Sequence, residues 1–286
     1  MRLITCEYDR KQRLGIVEGE VVKLLSLDEQ FPNDMLELIR DGSEQISSAS
    51  AASEDSVLLT EVELLAPIPR PLKNIICLGL NYADHARESF AARGREVVLP
   101  EHMVVFTKAP TTVIGPYAEI QIDPSFSVQV DWEVELAFII GRGGRNISVE
   151  AALQHVFGYT VINDVSARDV QNQHKQFFLG KSMDTSCPMG PWIVTADEIK
   201  DPQVLDLRTW VNGELKQDSN TRKHIFDVAR TISILSKGMT LEPGDVISTG
   251  TPAGVGFART PAEFLQPGDV VECEVEGIGR LRNGVI

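Results

Sequence analysis

The strongest chemical signal in the sequence is the segment DWEVELAFIIG, residues 131–141. On a β-strand alternate side chains share a face, so Glu133 and Glu135 point the same way, about 7 Å apart at their Cα atoms, and Asp131 joins them. Carboxylates that enter so apolar a strand resist removal from water unless their charge is compensated. A solvated strand edge, or an ion pair with an arginine of the following turn, would satisfy them. A hard divalent cation is the alternative.

A third carboxylate strengthens the cation hypothesis. Asp164 follows a second apolar stretch, FGYTVIN, at the point where a polar run begins. Functional groups collect at such strand ends and in the loops beyond them. Three oxygen ligands with room for water and a chelating substrate suit Mg²⁺ or Mn²⁺, whereas Zn²⁺ usually takes His or Cys ligands. The residues therefore predict either an oxygen-ligated metal site or an ion-paired acidic cluster.

A possible general base lies in GLNYADHARE, residues 79–88, where a strand end runs into a helical turn. His85 and Glu88 are three residues apart and are therefore neighbours on one helical face. A carboxylate in that position fixes the imidazole tautomer and raises its basicity, as a general-base pair requires. The other interpretation is an ordinary His/Glu contact on a surface helix that also carries Asp84 and Arg87.

Two cations follow these acidic groups along the chain. Arg168 is four residues after Asp164, and Lys181 lies in FFLGKSMDT. An anionic substrate needs local positive groups or a metal, because the formal net charge is -14. Alternatively, Arg168 pairs with a neighbouring aspartate and Lys181 is solvated. The loop DVISTGTPAGVG, residues 245–256, offers backbone amides and the Thr251 hydroxyl to a carboxylate and lacks the lysine of a phosphate loop.

These residues need a strand-rich framework to hold them. From Asn74 onward, short apolar runs separated by Gly, Pro and Asp turns predict strands. Helical patterning is confined to residues 83–92, 149–156 and 225–236, which is too little for a repeating βαβ sheet. We therefore expect an α+β, β-rich chain built on a mixed or rolled sheet.

The first forty residues predict a smaller α+β unit. LGIVEGEVVKLL is typical of a hairpin that turns at residues 18–20, and residues 33–40 have a helical pattern capped by Gly42. A Ser/Ala/Glu-rich linker at 43–56 and three closely spaced prolines follow. The predicted division is a small N-terminal domain at 1–70 and a catalytic domain at 71–286.

Composition excludes several classes of partner. The chain has 286 residues with 41 acidic and 27 basic side chains, a balance that repels nucleic acid and anionic lipid. Its four cysteines are widely separated and form no disulfide framework, so we expect a reduced, cytoplasmic protein. No stretch approaches 18 apolar residues, and the start lacks a signal-peptide core, so we expect no membrane partner.

Five motifs occur together and in a fixed order: GxNYxDHxxE, ExE, DxxxRDxQ, GKxxDTxCP and TGTPxGVG. From about Leu72 to residue 286 this order resembles the fumarylacetoacetate hydrolase family. The resemblance implies a rolled mixed β-sheet peculiar to that family, usually in a homodimer, with the amino-terminal unit as a common appendage.

The resemblance also implies roles for particular residues. It implies that Mg²⁺ or Mn²⁺ is bound by Glu133, Glu135 and Asp164. It implies that the catalytic residues are Lys181 and a water-activating pair on a segment that orders as a lid, His85 and Glu88. It implies that the substrate is bound by Arg168, Gln171 and Thr251.

Several activities occur in this family, all on a small anionic 2-oxo acid or its enol. We expect first a divalent-metal-dependent hydrolase that cleaves a C–C bond in a small 2,4-dioxo acid of the acylpyruvate or fumarylpyruvate type. The alternatives are an oxaloacetate decarboxylase, a hydroxymuconate-type isomerase/decarboxylase or, in another class, a non-catalytic metal- or ligand-binding module. Substrate choice would depend on the lid, residues 89–103, where Arg93 and Arg95 are either partners for a distal carboxylate or part of a solvated helix.

Overall fold

The computed structural model describes residues 1–25, 34–42, 46, 48, 51 and 56–286. Its strands are β1 Arg2–Tyr8, β2 Lys11–Glu18, β3 Val21–Leu24, β4 Ser56–Leu58, β5 Glu63–Leu64, β6 Ile75–Gly79, β7 Val104–Lys108, β8 Val113–Ile114, β9 Val130–Asp131, β10 Val134–Ile140, β11 Val156–Asn163, β12 Ser166–Ala167, β13 Cys187–Thr195, β14 Asp206–Val211, β15 Glu214–Asn220, β16 Val246–Ser248, β17 Val270–Val275 and β18 Gly279–Gly284. Its α-helices are α1 Met35–Asp41, α2 Ala83–Ala92, α3 Val149–Ala152, α4 Arg168–Gln173, α5 Phe178–Lys181 and α6 Val228–Gly238. The predicted α+β, strand-rich class is confirmed.

A mixed twelve-stranded sheet forms the body of the molecule. Its order is β4-β3-β2-β1-β13-β11-β10-β16-β6-β7, with β5 paired to β1 and β8 paired to β13. Two of its pairings, β13 with β8 and β16 with β6, are parallel, and the others are antiparallel. A four-stranded antiparallel sheet, β15-β14-β17-β18, is separate from it, and β9 pairs with β12.

Strand β10 lies at the centre and is buried along its whole length. Because side chains alternate along a strand, its two faces enter two different hydrophobic clusters. Leu136 and Phe138 belong to one cluster, and Ala137 and Ile139 to the other. Glu135 shares the second face, at the end of the strand where the apolar cluster stops.

The N-terminal segment joins the same sheet. The predicted hairpin is present: β2 and β3 pair with Glu18 opposite Val21, and Gly19 in the turn has φ +65°. Strand β1 pairs with β13, with Leu3 opposite Ile193. Residues of this segment share a hydrophobic cluster with β10 and β11. The division at residue 70 stays a prediction.

The helices begin close to the predicted positions. Helix α1 starts after Asp34, whose Oδ1 accepts a hydrogen bond from Glu37 N (2.9 Å), and ends at Gly42 with φ +83°. Helix α2 matches residues 83–92, and α3 continues as a 3-10 turn to His155. Helix α6 starts three residues late, because Asp227 caps it by accepting from Arg230 N (2.7 Å). Most of the predicted linker 43–56 lies outside the described residues.

The structure bears on two expectations drawn from composition, the state of the cysteines and the lack of a membrane-spanning segment. All four cysteines are free and buried. No helix in the described ranges is both long and apolar enough to span a bilayer.

Gln217 on β15 joins the two sheets. It is buried, and its Oε1 accepts hydrogen bonds from Val134 N (3.0 Å) at the start of β10 and from Thr209 Oγ1 (2.7 Å). Its Nε2 donates to Thr251 Oγ1 (2.9 Å) and Pro252 O (2.9 Å). One amide therefore satisfies polar groups of three segments.

Gln217→Leu should lower the free energy of unfolding by about 2 to 4 kcal/mol, because leucine keeps much of the volume and leaves buried polar groups without partners. Urea denaturation measures the change. Gln266→Leu, at an exposed position, is the control and should change stability by less than about 0.5 kcal/mol. Equal stability of the two variants would show that Gln217 does not hold the sheets together.

Candidate active site

Three predicted metal ligands converge at the adjoining ends of β10 and β11. These strands are antiparallel, with Val134 opposite Asn163, so the residues just before β10 and just after β11 are neighbours. Asp164 N donates to Glu133 O (2.9 Å) and fixes that contact. One ligand oxygen each from Glu133, Glu135 and Asp164 lies within 4.8 Å of the other two, and all three side chains are buried.

Basic side chains from other elements compensate two of these carboxylates. Arg168 Nη2 donates to Glu133 Oε1 (2.5 Å), and Lys181 Nζ bridges Glu133 Oε2 and Asp164 Oδ2, at 2.7 Å from each. Burial alone would raise the pKa of Glu133, but the Arg168 and Lys181 charges lower it below its usual value. Burial would lower the pKa of Lys181, and Asp164 and Glu133 raise it instead.

Glu135 has no such cationic contact among the described residues. Both of its hydrogen bonds reach Oε2, from Ser248 Oγ (2.5 Å) and Gly250 N (2.9 Å). Burial and the adjacent Asp164 and Glu133 carboxylates raise the pKa of Glu135 well above its ordinary value. A nearby positive charge would relieve that repulsion.

Asp164 supplies a second sign that the cluster fits a cation. Lys108 Nζ is 2.8 Å from Asp164 Oδ1 but directs its hydrogen bond to Val165 O (3.1 Å). Asp164 Oδ1 is buried, and its contact with Lys108 is an ion pair without a hydrogen bond from the described residues. An all-oxygen set in which Asp164 Oδ1 lacks a hydrogen bond suits Mg²⁺ or Mn²⁺. The residues present therefore fit a divalent metal.

The predicted general-base pair, His85 and Glu88, forms on α2. His85 Nδ1 is 2.9 Å from Glu88 Oε1, and Gly254 N donates to both Glu88 oxygens (3.1 and 2.9 Å). The carboxylate, held as an acceptor by the Gly254 amide, favours the tautomer with hydrogen on Nδ1. His85 Nε2, 3.4 Å from Ser89 Oγ, is then the basic nitrogen.

The glycine-rich loop at 245–256 binds carboxylates, and they belong to the protein itself. Gly250 N donates to Glu135, Gly254 N to Glu88, and Gly256 N to Asp131 Oδ1 (2.7 Å). The sequence suggests that these amides hold a substrate carboxylate. Instead, three of these amides orient protein carboxylates: the predicted metal ligand Glu135, the Glu88 partner of His85, and the Asp131 partner of Arg168.

The predicted substrate-binding residues also contact protein groups. All three guanidinium nitrogens of Arg168 donate to protein acceptors: Asp131 Oδ2 (2.9 Å), Glu133 Oε1 and Gln171 Oε1 (3.2 Å). Thr251 Oγ1 donates to Val134 O (3.0 Å). Arg168 and Thr251 therefore help to position the acidic cluster, in addition to any contact that they make with a substrate.

A cavity of about 330 Å³ opens above the cluster, within the size range of small-molecule sites. Six of the nine predicted site residues line it: His85, Glu133, Arg168, Gln171, Lys181 and Thr251. The other three, Glu88, Glu135 and Asp164, are not among its lining residues. Four phenylalanines give it apolar walls: Phe90, Phe106, Phe177 and Phe257.

Sequence reasoning missed Lys108, the third of the buried cations that the structure places beside the acidic cluster. It ends β7, an apolar strand, and its side chain is wholly buried. A lysine at the end of an apolar run was the available signal, but nothing in the sequence connects it with Asp164.

A family model described as "Fumarylacetoacetate (FAA) hydrolase C-terminal" matches residues 74–286. The chain belongs to the fumarylacetoacetate hydrolase family. Its fold agrees with that of a fumarylacetoacetate hydrolase from Exiguobacterium antarcticum, with TM-score 0.87 and 42% identity over 100% of this chain and 99% of that one. The chain is therefore an enzyme of the hydrolase, isomerase or decarboxylase type that this family comprises.

Named relatives in the fumarylacetoacetate hydrolase family differ in activity. Oxaloacetate tautomerase YisK of Bacillus subtilis is 46% identical over 305 aligned positions covering 100% of both proteins. The mitochondrial oxaloacetate tautomerase fahd2 of Xenopus laevis is 44% identical over 94% of this chain and 83% of its own. A maleylpyruvate hydrolase from Sphingobium, solved with manganese(II) and pyruvate, is 31% identical, with TM-score 0.80 over 100% of this chain and 99% of that one.

Glu135→Gln distinguishes a metal ligand from a structural acid. Glutamine keeps the volume and removes repulsion by Asp164 and Glu133, so the metal-free protein should melt at the same temperature or higher. Mn²⁺ affinity should fall by more than about 100-fold, because loss of an outer partner alone costs about 10- to 100-fold. Calorimetric titration and thermal denaturation with a chelator measure the two effects.

The control for that measurement is Glu119→Gln, an exposed carboxylate whose loss should leave both quantities unchanged. A Glu135→Gln protein that is destabilised without metal and keeps its Mn²⁺ affinity would contradict the ligand assignment.

Gly180→Ala should displace Lys181. A Cβ atom on Gly180 would lie 2.6 Å from Gln171 N and 2.8 Å from Ala167 O, so α5 must move away from α4. Catalytic turnover should fall by about 10- to 100-fold, since misplacement by 1 Å has effects of that order. Gly238→Ala, with no atom within 4 Å of the added carbon, is the control. Unchanged kcat in Gly180→Ala would show that the position of Lys181 does not limit the reaction.

Proposed function

We propose that the chain is a divalent-metal-dependent oxaloacetate tautomerase, which moves a proton between the keto and enol forms. The reaction class is supported by one observation above all: the His85 imidazole, oriented by Glu88, lines the same cavity as Glu133 of the acidic cluster. The choice of oxaloacetate is supported by tautomerases that are 42–46% identical over 94–100% of this chain. The expectations drawn from sequence put C–C hydrolysis first and named oxaloacetate only as the substrate of a decarboxylase.

Tautomerisation needs one base and no water. His85 Nε2 removes a proton from C3 of the keto form, while Nδ1–H stays bonded to Glu88. The imidazolium then returns that proton to the C2 oxygen, and the enol forms without any co-reactant. A bound Mg²⁺ or Mn²⁺ supplies Lewis-acid polarisation of the 2-oxo group. The Lys181 ammonium, held between Glu133 and Asp164, adds positive potential where negative charge develops.

Charge balance supports an anionic substrate. Four carboxylates are buried in and beside the cluster, against three buried cations: Asp131, Glu133, Glu135 and Asp164 against Lys108, Arg168 and Lys181. With all four carboxylates ionised, the protein alone carries one excess negative charge there. A divalent cation would change that excess to a single positive charge, and an anionic substrate would then be attracted to a chain whose net charge repels it.

C–C hydrolysis of a 2,4-dioxo acid is the second candidate. It is supported by the likeness to the Sphingobium maleylpyruvate hydrolase. In that reaction His85 would deprotonate a water that attacks the distal carbonyl, and the same cations would face the enolate that departs. Decarboxylation of oxaloacetate develops the same charge without an attacking water.

His85→Gln tests the proposal. Oxaloacetate dissolved in its enol form should relax to the keto form faster with the Mn²⁺-loaded protein than with Mn²⁺ alone, as ultraviolet absorbance of the enol reports. In the variant that acceleration should be about 10²- to 10⁴-fold smaller, because a general base usually contributes a factor of that size. Its Mn²⁺ affinity should not change. His102→Gln, at an exposed position, is the control.

Pyruvate release from an acylpyruvate and from oxaloacetate is followed in parallel by coupling to lactate dehydrogenase. Rapid acylpyruvate cleavage without accelerated enol relaxation would contradict the tautomerase proposal and would support C–C hydrolysis.

A further inference from the structure

Three cations with no ion pair line the outer part of the cavity. They are Arg93, Arg95 and Lys175, and none of them contacts a carboxylate within the part of the chain that the structure describes. The inner cations differ, because Arg168 and Lys181 are each bound by two carboxylates. Glu133, the acid that lines the cavity, is already shared by both of them. The outer part therefore carries positive charge that no described carboxylate contacts.

Arg93 is held most firmly of the three. Its guanidinium carbon is 4.8 Å from the centre of the Phe257 ring, and that of Arg168 is 4.6 Å from the same ring. Its one side-chain hydrogen bond, to Ser89 O at 3.4 Å, is long. Burial and the charges of Arg168 and Arg95 lower the pKa of Arg93. Two guanidinium groups on one ring repel each other, and an anion bound beside Arg93 would offset that repulsion.

Helix α2 directs this cation and the proposed base into one cavity. His85 and Ser89 on α2 and Arg93, which caps its C-terminus, follow each other at intervals of four residues, so their side chains lie on the same side of the helix. All three line the cavity. The Cα atoms of His85 and Arg93 are about 12 Å apart along the axis, and long helical side chains lean back toward the N-terminus, which shortens the gap.

We propose that Arg93, assisted by Arg95 and Lys175, binds the distal carboxylate of the substrate and so selects 2-oxo dicarboxylic acids over 2-oxo monocarboxylic acids. This inference rests on the proposed function, because it names the class of substrate that the same site accepts. A guanidinium can bind a carboxylate through two parallel N–H donors, the strongest of the common charged contacts. A monocarboxylic acid of the pyruvate type, with its carboxylate at the metal cluster, would leave the three outer cations unpaired.

Arg93→Gln tests the assignment with two ligands that differ only in the distal carboxylate, difluoropyruvate and difluoro-oxaloacetate. Difluoro-oxaloacetate has no C3 proton and therefore cannot enolise, and difluoropyruvate carries a hydrogen on C3 in place of the distal carboxylate. Calorimetry on the Mn²⁺-loaded protein should show difluoro-oxaloacetate binding weakened by about 10-fold or more and difluoropyruvate binding changed by less than about twofold. Arg95→Gln should have a smaller effect of the same kind. Arg87→Gln is the control: it lies on the same helix, is paired with Asp84 and does not line the cavity.

Equal weakening of both ligands would overturn the assignment, because Arg93 would then support the lid in general. No change with either ligand would overturn it as well. The wild-type protein separates this inference from the proposed function. Preference for difluoro-oxaloacetate without tautomerisation of oxaloacetate would support the subsite and refute the function. Tautomerisation with equal binding of the two ligands would refute the subsite alone.

Discussion

The site depends on burying four carboxylates at the adjoining ends of β10 and β11. An unpaired buried charge is costly, and removing one partner of a buried ion pair typically costs about 3 to 5 kcal/mol. The compensating cations come from three other elements: Lys108 from β7, Arg168 from α4 and Lys181 from α5. The packing of these elements against the central strands is therefore an electrostatic requirement as much as a hydrophobic one. Glu135 is the carboxylate of this group whose charge no cation among the described residues contacts.

Much of this arrangement could be predicted from sequence, for identifiable reasons. The alternation in DWEVELAFIIG requires Glu133 and Glu135 to share a face, and spacing of three residues on a helix requires His85 and Glu88 to be neighbours. Both relations are local, and the structure contains both. The contact between Asp164 and Glu133 depends on the antiparallel pairing of β10 with β11. Spacing alone does not specify such a pairing, and here the family resemblance made the connection.

Other features could not be predicted because they depend on distant segments. Lys108 meets Asp164 only when β6 and β7 join the sheet, and Gln217 meets Val134 only when the two sheets pack. Leu80 is a further case: its φ of +54° is uncommon for a branched residue, and nothing in GLNY indicates it. This strained turn lines the cavity at the point where the chain leaves β6 for α2. Backbone strain of this kind persists where the surrounding structure fixes it, often beside a site.

The cavity is electrostatically asymmetric, and this asymmetry explains why motifs alone do not identify the reaction. Its inner end combines the acidic cluster with bound cations, and any 2-oxo acid whose enolate develops there would be stabilised in the same way, whether by proton transfer, decarboxylation or C–C cleavage. Its outer end is formed by Arg93, Arg95 and Lys175, which follow α2 and α4 along the chain. These side chains lie outside the five motifs and contact no described carboxylate. Under the proposal made above, selection among substrates depends on these outer groups, which the inner carboxylates do not hold in place.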